Sequence, residues 1–315
     1  MRKLFRISDF GFRIGRKGGS PFQSALRTPH STLRNRNGFT LIEVMVVVTL
    51  LSLIVLALMA VFNSTQAAFR ASVTQSDVLE SGRAVMDLMA SDLKLMSPSM
   101  DTNNGAVNFY ANTNVNEQPL VQPLVASSQQ RMNVLEQFFI LSRQNQTWTG
   151  VGYVVVTNSP QGDLYSLYRF SATTNAQLAG DPAAMLFNLF TNCALTSMSH
   201  LMDGVVSLTV RAYDVNGGWM TNHVVFTGGQ VATNKNVYFF LPATFGETGF
   251  DMFSNTLPAS VQIEMGVLED RALQRAESLS ASPSAQASYL QQQAGAVHVF
   301  RQRVSIPNVD PSAYQ

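Results

Sequence analysis

Apolar residues crowd into one unbroken run near the start of the chain, Phe39 to Phe62, which reads FTLIEVMVVVTLLSLIVLALMAVF. Val44–Phe62 holds no charge, and only Thr49 and Ser52 are polar. About 20 apolar residues span roughly 30 Å of hydrocarbon, so the run predicts a membrane-crossing segment. Its β-branched residues would suit a strand. Its length and lack of Gly and Pro favour a helix, which satisfies its own backbone polar groups in lipid. One residue breaks the pattern. Glu43 puts a carboxylate in the run, at about 2.5–3.5 kcal/mol on insertion scales, and so calls for a partner.

Beyond Phe62 the polar content rises, but no Pro appears before Pro98. Phe69, Val73, Leu79, Met86, Leu93 and Met96 recur at mostly helical spacing, with charges between them. This is an amphipathic stripe. It predicts a helix continuing to about Met96, roughly 85 Å long from Phe39, with its second half packed on the domain that follows. Gly82 weakens it by about 1 kcal/mol relative to Ala. Ser97-Pro98-Ser99 ends it.

Residues 101–315 are enough for one core-bearing domain. Met100–Ser128, rich in Asn and Gln, reads mostly as loop. Strand patterns follow at Asn133–Leu141, Gly150–Thr157, Leu164–Phe170, Val205–Tyr213, His223–Phe226, Val237–Leu241, Ser260–Leu268 and Val297–Ile306. The turn Asn158–Asp163 makes a hairpin of the second and third runs. Asp181-Pro182 reads as an N-cap followed by Pro at N1, opening a helix of about ten residues. Glu269–Gln293 looks helical, interrupted at Ser280–Ser284, and its Ser, Ala and Gln suggest an exposed excursion. The expected class is α+β, a long N-terminal helix packed on an antiparallel sheet.

Charge divides the chain. The 38 residues before Phe39 carry nine basic side chains (Arg2, Lys3, Arg6, Arg13, Arg16, Lys17, Arg27, Arg34 and Arg36) and one acid, Asp9. The positive-inside rule puts that end in the cytoplasm and the C-terminal part across the membrane. A secretory signal peptide cleaved near Ala67–Ala71 is the alternative, although its apolar core would exceed the usual length.

The string Gly38-Phe39-Thr40-Leu41-Ile42-Glu43 resembles the processing signal of type IV pilin-like proteins. In that family a membrane peptidase cuts after the Gly, and the new N-terminal residue is methylated. The resemblance implies a cut between Gly38 and Phe39, N-methylation of Phe39, and Glu43 as the fifth residue of the mature chain. Glu43 then pairs with the new α-amine, its own or a neighbour's, and sets the register of assembly. Removing the leader takes 21 basic and 20 acidic residues to 12 and 19, a formal charge of −7. Nucleic acid is therefore not an expected partner.

Three blocks further resemble the J-type minor pseudopilin of type II secretion systems: Gly82–Lys94, Leu201–Leu208 running through Asp214–Trp219, and Leu257–Glu264 with Phe300–Val304. They occur in the family's order, while Met220–Thr256 and Asp270–Ala296 depart from it. The resemblance implies four parts: a cleaved basic leader (1–38), a transmembrane and filament-core helix (39–62), its amphipathic continuation (63–97), and a periplasmic α+β pseudopilin domain (98–315). It places the chain as a single-pass inner-membrane protein that passes into a periplasmic pseudopilus. Its implied partners are other pilin-like subunits, prepilin peptidase/methylase, an inner-membrane assembly platform and membrane lipid. Its implied role is to initiate or cap a filament for protein export. A minor pilin of a type IV pilus, in adhesion, motility or DNA uptake, is the alternative.

Little enzymatic chemistry is legible. His30, His200, His223 and His298 are scattered, and Cys193 is the only cysteine, read as a small buried residue. There is no nucleophile elbow, phosphate loop or dinucleotide fingerprint. No catalytic residue and no cofactor are expected, and a membrane-anchored envelope enzyme or binding module is the minor alternative. Some pseudopilins hold calcium, so the resemblance admits a cation without naming ligands. Asp101, Asp203, Asp214 and Asp251 have the right chemistry, but Asp203-Gly204 and Asp214 read as turn formers. The aromatics Tyr153, Tyr165, Tyr168, Phe170, Tyr213 and Trp219 read as sheet core.

Overall fold

The computed structural model describes residues 38–101, 106–114, 117, 119–124, 129–157, 164–175, 181–220, 224–227, 230–233, 236–240 and 249–314. The leader up to Asn37, the turn Asn158–Asp163 and two of the four histidines, His30 and His223, lie outside them. The chain divides into two units, Met1–Val61 and Phe62–Gln315. In the first, every described residue is exposed and helical from Leu41 onward.

The elements in chain order begin with α1 (Leu41–Lys94), β1 (Val107–Thr113), β2 (Leu120–Pro123), β3 (Gln130–Asn133), β4 (Glu136–Gln144), β5 (Thr147–Thr157) and β6 (Tyr165–Asn175). Then come α2 (Pro182–Thr191), β7 (Ser199–Asp203), β8 (Val205–Tyr213), β9 (Val224–Thr227), β10 (Gln230–Thr233), β11 (Val237–Phe240) and β12 (Gly249–Phe253). The chain closes with β13 (Ser260–Leu268), α3 (Asp270–Glu277), α4 (Pro283–Gln291) and β14 (Val297–Ser305). A seven-stranded sheet runs β11-β12-β1-β4-β5-β6-β7, and a three-stranded sheet runs β14-β13-β8. All their pairings are antiparallel. The α+β class expected from the sequence is the observed one.

The end of α1 supplies one layer of the main core. Val85, Met86, Met89, Ala90 and Leu93, with Met96 just beyond the helix, are buried among Phe109, Phe138, Ile140 and Leu167 of the large sheet and Val210, Ile263 and Met265 of the small one. The stripe docks later than its pattern predicted. Phe69 and Val73 remain 70% and 43% exposed, and packing begins near Val78. Glu136, buried at the head of β4, accepts a hydrogen bond from the Val210 amide and so ties the two sheets together.

The other face of the large sheet is covered by α2. Asp181 caps it as expected, its Oδ1 accepting from the amides of Ala183 and Ala184 at 2.9 and 3.2 Å. Leu186 and Phe190 sit on Phe139, Leu141 and Phe170. The Phe190 ring lies where a Cβ on Gly152 would be, 2.3 Å from the nearest ring carbon, so β5 needs a glycine under the helix.

Two readings are corrected. Met100–Ser128, read mostly as loop, also contains two strands the pattern did not show, β2 and β1, the latter an inner strand of the large sheet. Asn108, one of the Asn residues that hid β1, is satisfied by tertiary contacts: it donates to the carbonyls of Ser254 and Thr256 and accepts from the Ser99 amide. Glu269–Gln293 is not an exposed excursion. It forms α3 and α4, which bury Ala272, Ala276 and Leu290 with Leu120 and Leu268, and Gln122 donates to the Leu290 carbonyl at 2.9 Å.

Candidate processing and assembly site

The Gly38–Glu43 segment is the entrance to α1. Gly38, Phe39 and Thr40 precede the first helical residue, Leu41, and all are exposed. Thr40 occupies the N-cap. Its Oγ1 accepts from the Glu43 amide at 3.3 Å, and its carbonyl accepts from the Val44 amide at 3.2 Å. This is the N-cap half of a capping box, and Thr-x-x-Glu is its sequence signature. The signal for this cap is legible in the sequence as Thr40-Leu41-Ile42-Glu43.

Glu43 therefore stands in the first turn, where the helix dipole favours a carboxylate. Downstream, Leu41–Lys94 is the one helix among the described residues long and apolar enough to cross a membrane. Its apolar side chains from Leu41 to Phe62 are exposed, with none buried against the protein. Polar side chains within the run satisfy themselves locally: Thr49 donates to the Val46 carbonyl and Ser52 to the Val48 carbonyl, both at 2.8 Å. The segment presents water with no polar face of its own, and a hydrocarbon or protein surround would remove that cost.

At the other end, α1 is fixed by charge as well as packing. Arg169 of β6 donates from Nε to Asp92 Oδ2 at 2.9 Å and from Nη2 to Oδ1 at 3.2 Å. Tyr153 of β5 donates its hydroxyl to the same Oδ2. Burial and the Asp92 carboxylate together push the Tyr153 phenol far above its ordinary value, so it remains a donor. For Arg169, burial works against the charge, but hydrogen bonding and attraction to Asp92 outweigh it and leave its pKa raised. Gly82, one turn before the buried stripe, lies under the Phe300 ring of β14, and a Cβ there would come within 2.3 Å of Cζ. Gly82 is thus a seat for Phe300 as well as a weak point in the helix.

The remaining candidate chemistry is dispersed. Among the described residues no three His, Cys, Asp or Glu side chains gather into a metal-binding group. Asp203 accepts from Ser166 Oγ and lies 2.8 Å from His200 Nε2, and these partners lower its pKa against the effect of burial. Asp214 folds its own turn, accepting from the amides of Asn216 and Gly218 at 3.0 and 2.7 Å. Asp251 is the exception: it lies between Tyr238 and Tyr110 across the strands, its Oδ1 has no hydrogen-bond partner, and burial pushes its pKa up to about 7. Cys193 is half-buried rather than buried, with Sγ 3.3 Å from Ser197 Oγ. Trp219, read as core, is 49% exposed under the Arg211 guanidinium, whereas Tyr153 and Tyr165 are buried.

Residues 33–59 match the model of the prokaryotic N-terminal methylation motif. No curated protein and no solved structure matches the chain. The matched stretch covers Gly38, the N-cap Thr40, Glu43 and most of the exposed apolar run, so the chain carries the N-terminal motif of the type IV pilin-like family.

Proposed function

We propose that this chain is a structural subunit of the pilin-like kind, cut between Gly38 and Phe39, methylated on the Phe39 amine and stacked through its N-terminal helix. The observation that carries the proposal is the coincidence of the methylation motif with Glu43, the only charge between Phe39 and Phe62. Cleavage creates an α-amine four residues from that carboxylate. In an apolar surround neither charge has water as an alternative, so the pair is favoured within a chain or between neighbours. The cut takes its nine bases with it and leaves an acidic chain anchored by Phe39–Phe62, with residues 98–315 on the periplasmic side.

Within that kind, we place it as a minor pseudopilin-like subunit of a type II secretion-type pseudopilus, acting where the filament starts or ends. The ordered blocks Gly82–Lys94, Leu201–Trp219 and Leu257–Glu264 with Phe300–Val304 support this reading. The structure gives two of them physical work: Gly82 seats Phe300, and Asp92 holds Arg169. Its partners are then other pilin-like subunits, the peptidase/methylase and the membrane assembly platform.

The intact mass of the protein recovered from membranes tests the processing step. A mature chain beginning at methylated Phe39 is expected. Retention of Met1, or a start near Ala67–Ala71, would falsify it. The stacking role is tested by Glu43→Ala, which should be processed and reach the membrane but fail to co-assemble with pilin-like partners. Undiminished assembly would remove Glu43 from that role.

A further inference from the structure

The three-stranded sheet ends in an open edge. β14 pairs with β13 on one side and, among the described residues, with no strand on the other. Two bonds flanking the ladder fix its phase: the Ile306 amide donates to Ala259, and the Glu269 amide donates to Ala296. With the register unbroken between Ser260↔Ser305 and Leu268↔Val297, even-numbered residues of β14 direct their backbone groups to β13. Val299, Arg301 and Arg303 therefore direct theirs outward, where they meet no hydrogen-bond partner among the described residues. Unpaired edges of this length invite another strand, and proteins ordinarily shorten, bend or cover them.

This edge lies beside a groove of about 400 Å³ between β14 and α1, lined by Met86, Val299, Phe300 and Gln302 and by three charges, Arg83, Arg301 and Asp87, two of them basic. The two faces of an added strand would meet different chemistry. On the outer face stand Arg301 and Arg303, both exposed; Arg301 is paired with Glu264, and Arg303 lies 3.8 Å over the Tyr213 ring and bonds Ser260. On the inner face, an alternate side chain would meet Met86 and Phe300. Side chains one strand apart on the same face interact directly, so the outer row favours acids and the inner row apolar groups.

We propose that the β14 edge receives an extended strand from another protein chain, one whose residues alternate between apolar and acidic. Main-chain bonds to Val299, Arg301 and Arg303 supply the hold, and the arginine row with the α1 groove supplies the selectivity. Among the described residues no sheet-end strand alternates apolar with acidic groups: β7 reads Ser-His-Leu-Met-Asp, with a single acid at its end, and β2, β3, β8, β9, β10, β11 and β14 carry none. The partner is thus a different chain. The proposal does not depend on the pilin-like reading, since it rests on the edge itself.

The test uses the full chain in detergent micelles with two labelled nine-residue peptides, one alternating Val and Glu, the other Val and Lys. The Glu peptide should bind at least tenfold more tightly. On saturation, amide exchange at Val299, Arg301 and Arg303 should slow at least tenfold, a main-chain signature that charge attraction alone does not produce. Val299→Pro removes an outward amide and no ladder bond, so the protein should keep its melting temperature and lose the peptide. Arg301→Glu combined with Arg303→Glu should reverse the preference between peptides, an outcome unfolding cannot mimic. Equal binding of the two peptides, binding of neither, Glu-peptide binding that leaves exchange in β14 unchanged, or self-association lost in Val299→Pro would each overturn the proposal.

Discussion

Arg169 grips Asp92 with two of its nitrogens, at 2.9 and 3.2 Å, across 77 residues of chain. The pair joins α1 to β6, and Tyr153 supplies a third donor from β5. Both charged side chains are mostly withdrawn from solvent. Breaking a partly buried pair leaves the survivor's charge uncompensated, which costs about 3 kcal/mol. Arg169→Ala and Asp92→Ala should each lower unfolding free energy by about that amount in denaturant melts. The double variant should cost clearly less than the sum of the two. Additive losses would mean that the pair contributes nothing beyond its separate parts.

Gly82→Ala sets two effects against each other. Helix propensity favours Ala by about 1 kcal/mol. Against this, the new Cβ meets the Phe300 ring at 2.3 Å, and overpacking costs about 1–3 kcal/mol. The variant should be destabilised by about 1 kcal/mol, and Phe300→Leu in the same background should recover the loss. A stabilised Gly82→Ala protein would show that the ring moves aside at no cost.

Asp251 should make stability depend on pH. Its carboxyl titrates at about 7 in the folded chain, against an ordinary value near 3.9 when unfolded, because burial disfavours the charge. Between these values the folded state holds the extra proton, so stability is greatest below about pH 4 and falls as pH rises through 7. The loss is on the order of 2–4 kcal/mol. Asp251→Asn should flatten this component and raise stability at pH 8 relative to the parent. Parallel pH profiles for the two proteins would place the titration elsewhere.

Local pattern was legible where burial follows a simple period. β8 and β13 pair along almost their whole lengths at the positions where the alternation lies, and α2 starts at the Asp-Pro pair that announced it. The pattern was silent where distant groups supply the satisfaction. β1 carries Asn108 and Asn112 within a strand of seven residues, and the carbonyls of Ser254 and Thr256 with the Ser99 amide explain the first of them. α3 and α4 bury two Ala, one Gln and a single Leu, a set whose pattern does not differ from that of a solvated helix. Trp219 reads as sheet core along with the other aromatics, but it lies at the surface under Arg211. At the N-terminal site, Gly38, Phe39 and Glu43 stood out through one contiguous motif. Asp92 and Arg169 carry no spacing signal, because only the folded sheets bring them together.

The receptacle for α1 is assembled from residues that run from Phe109 to Ile306. During synthesis Val85–Met96 therefore emerge about 200 residues ahead of the last groups that cover them. At about 5–20 residues per second, that interval is on the order of 10–40 s. Through it the stripe remains sticky and unclaimed, and β1 waits for β12 before it has a neighbour on both sides. The helix is thus first in sequence and last to be secured, which leaves a window in which a holding chaperone or a waiting partner can reach it before the chain's own sheets do.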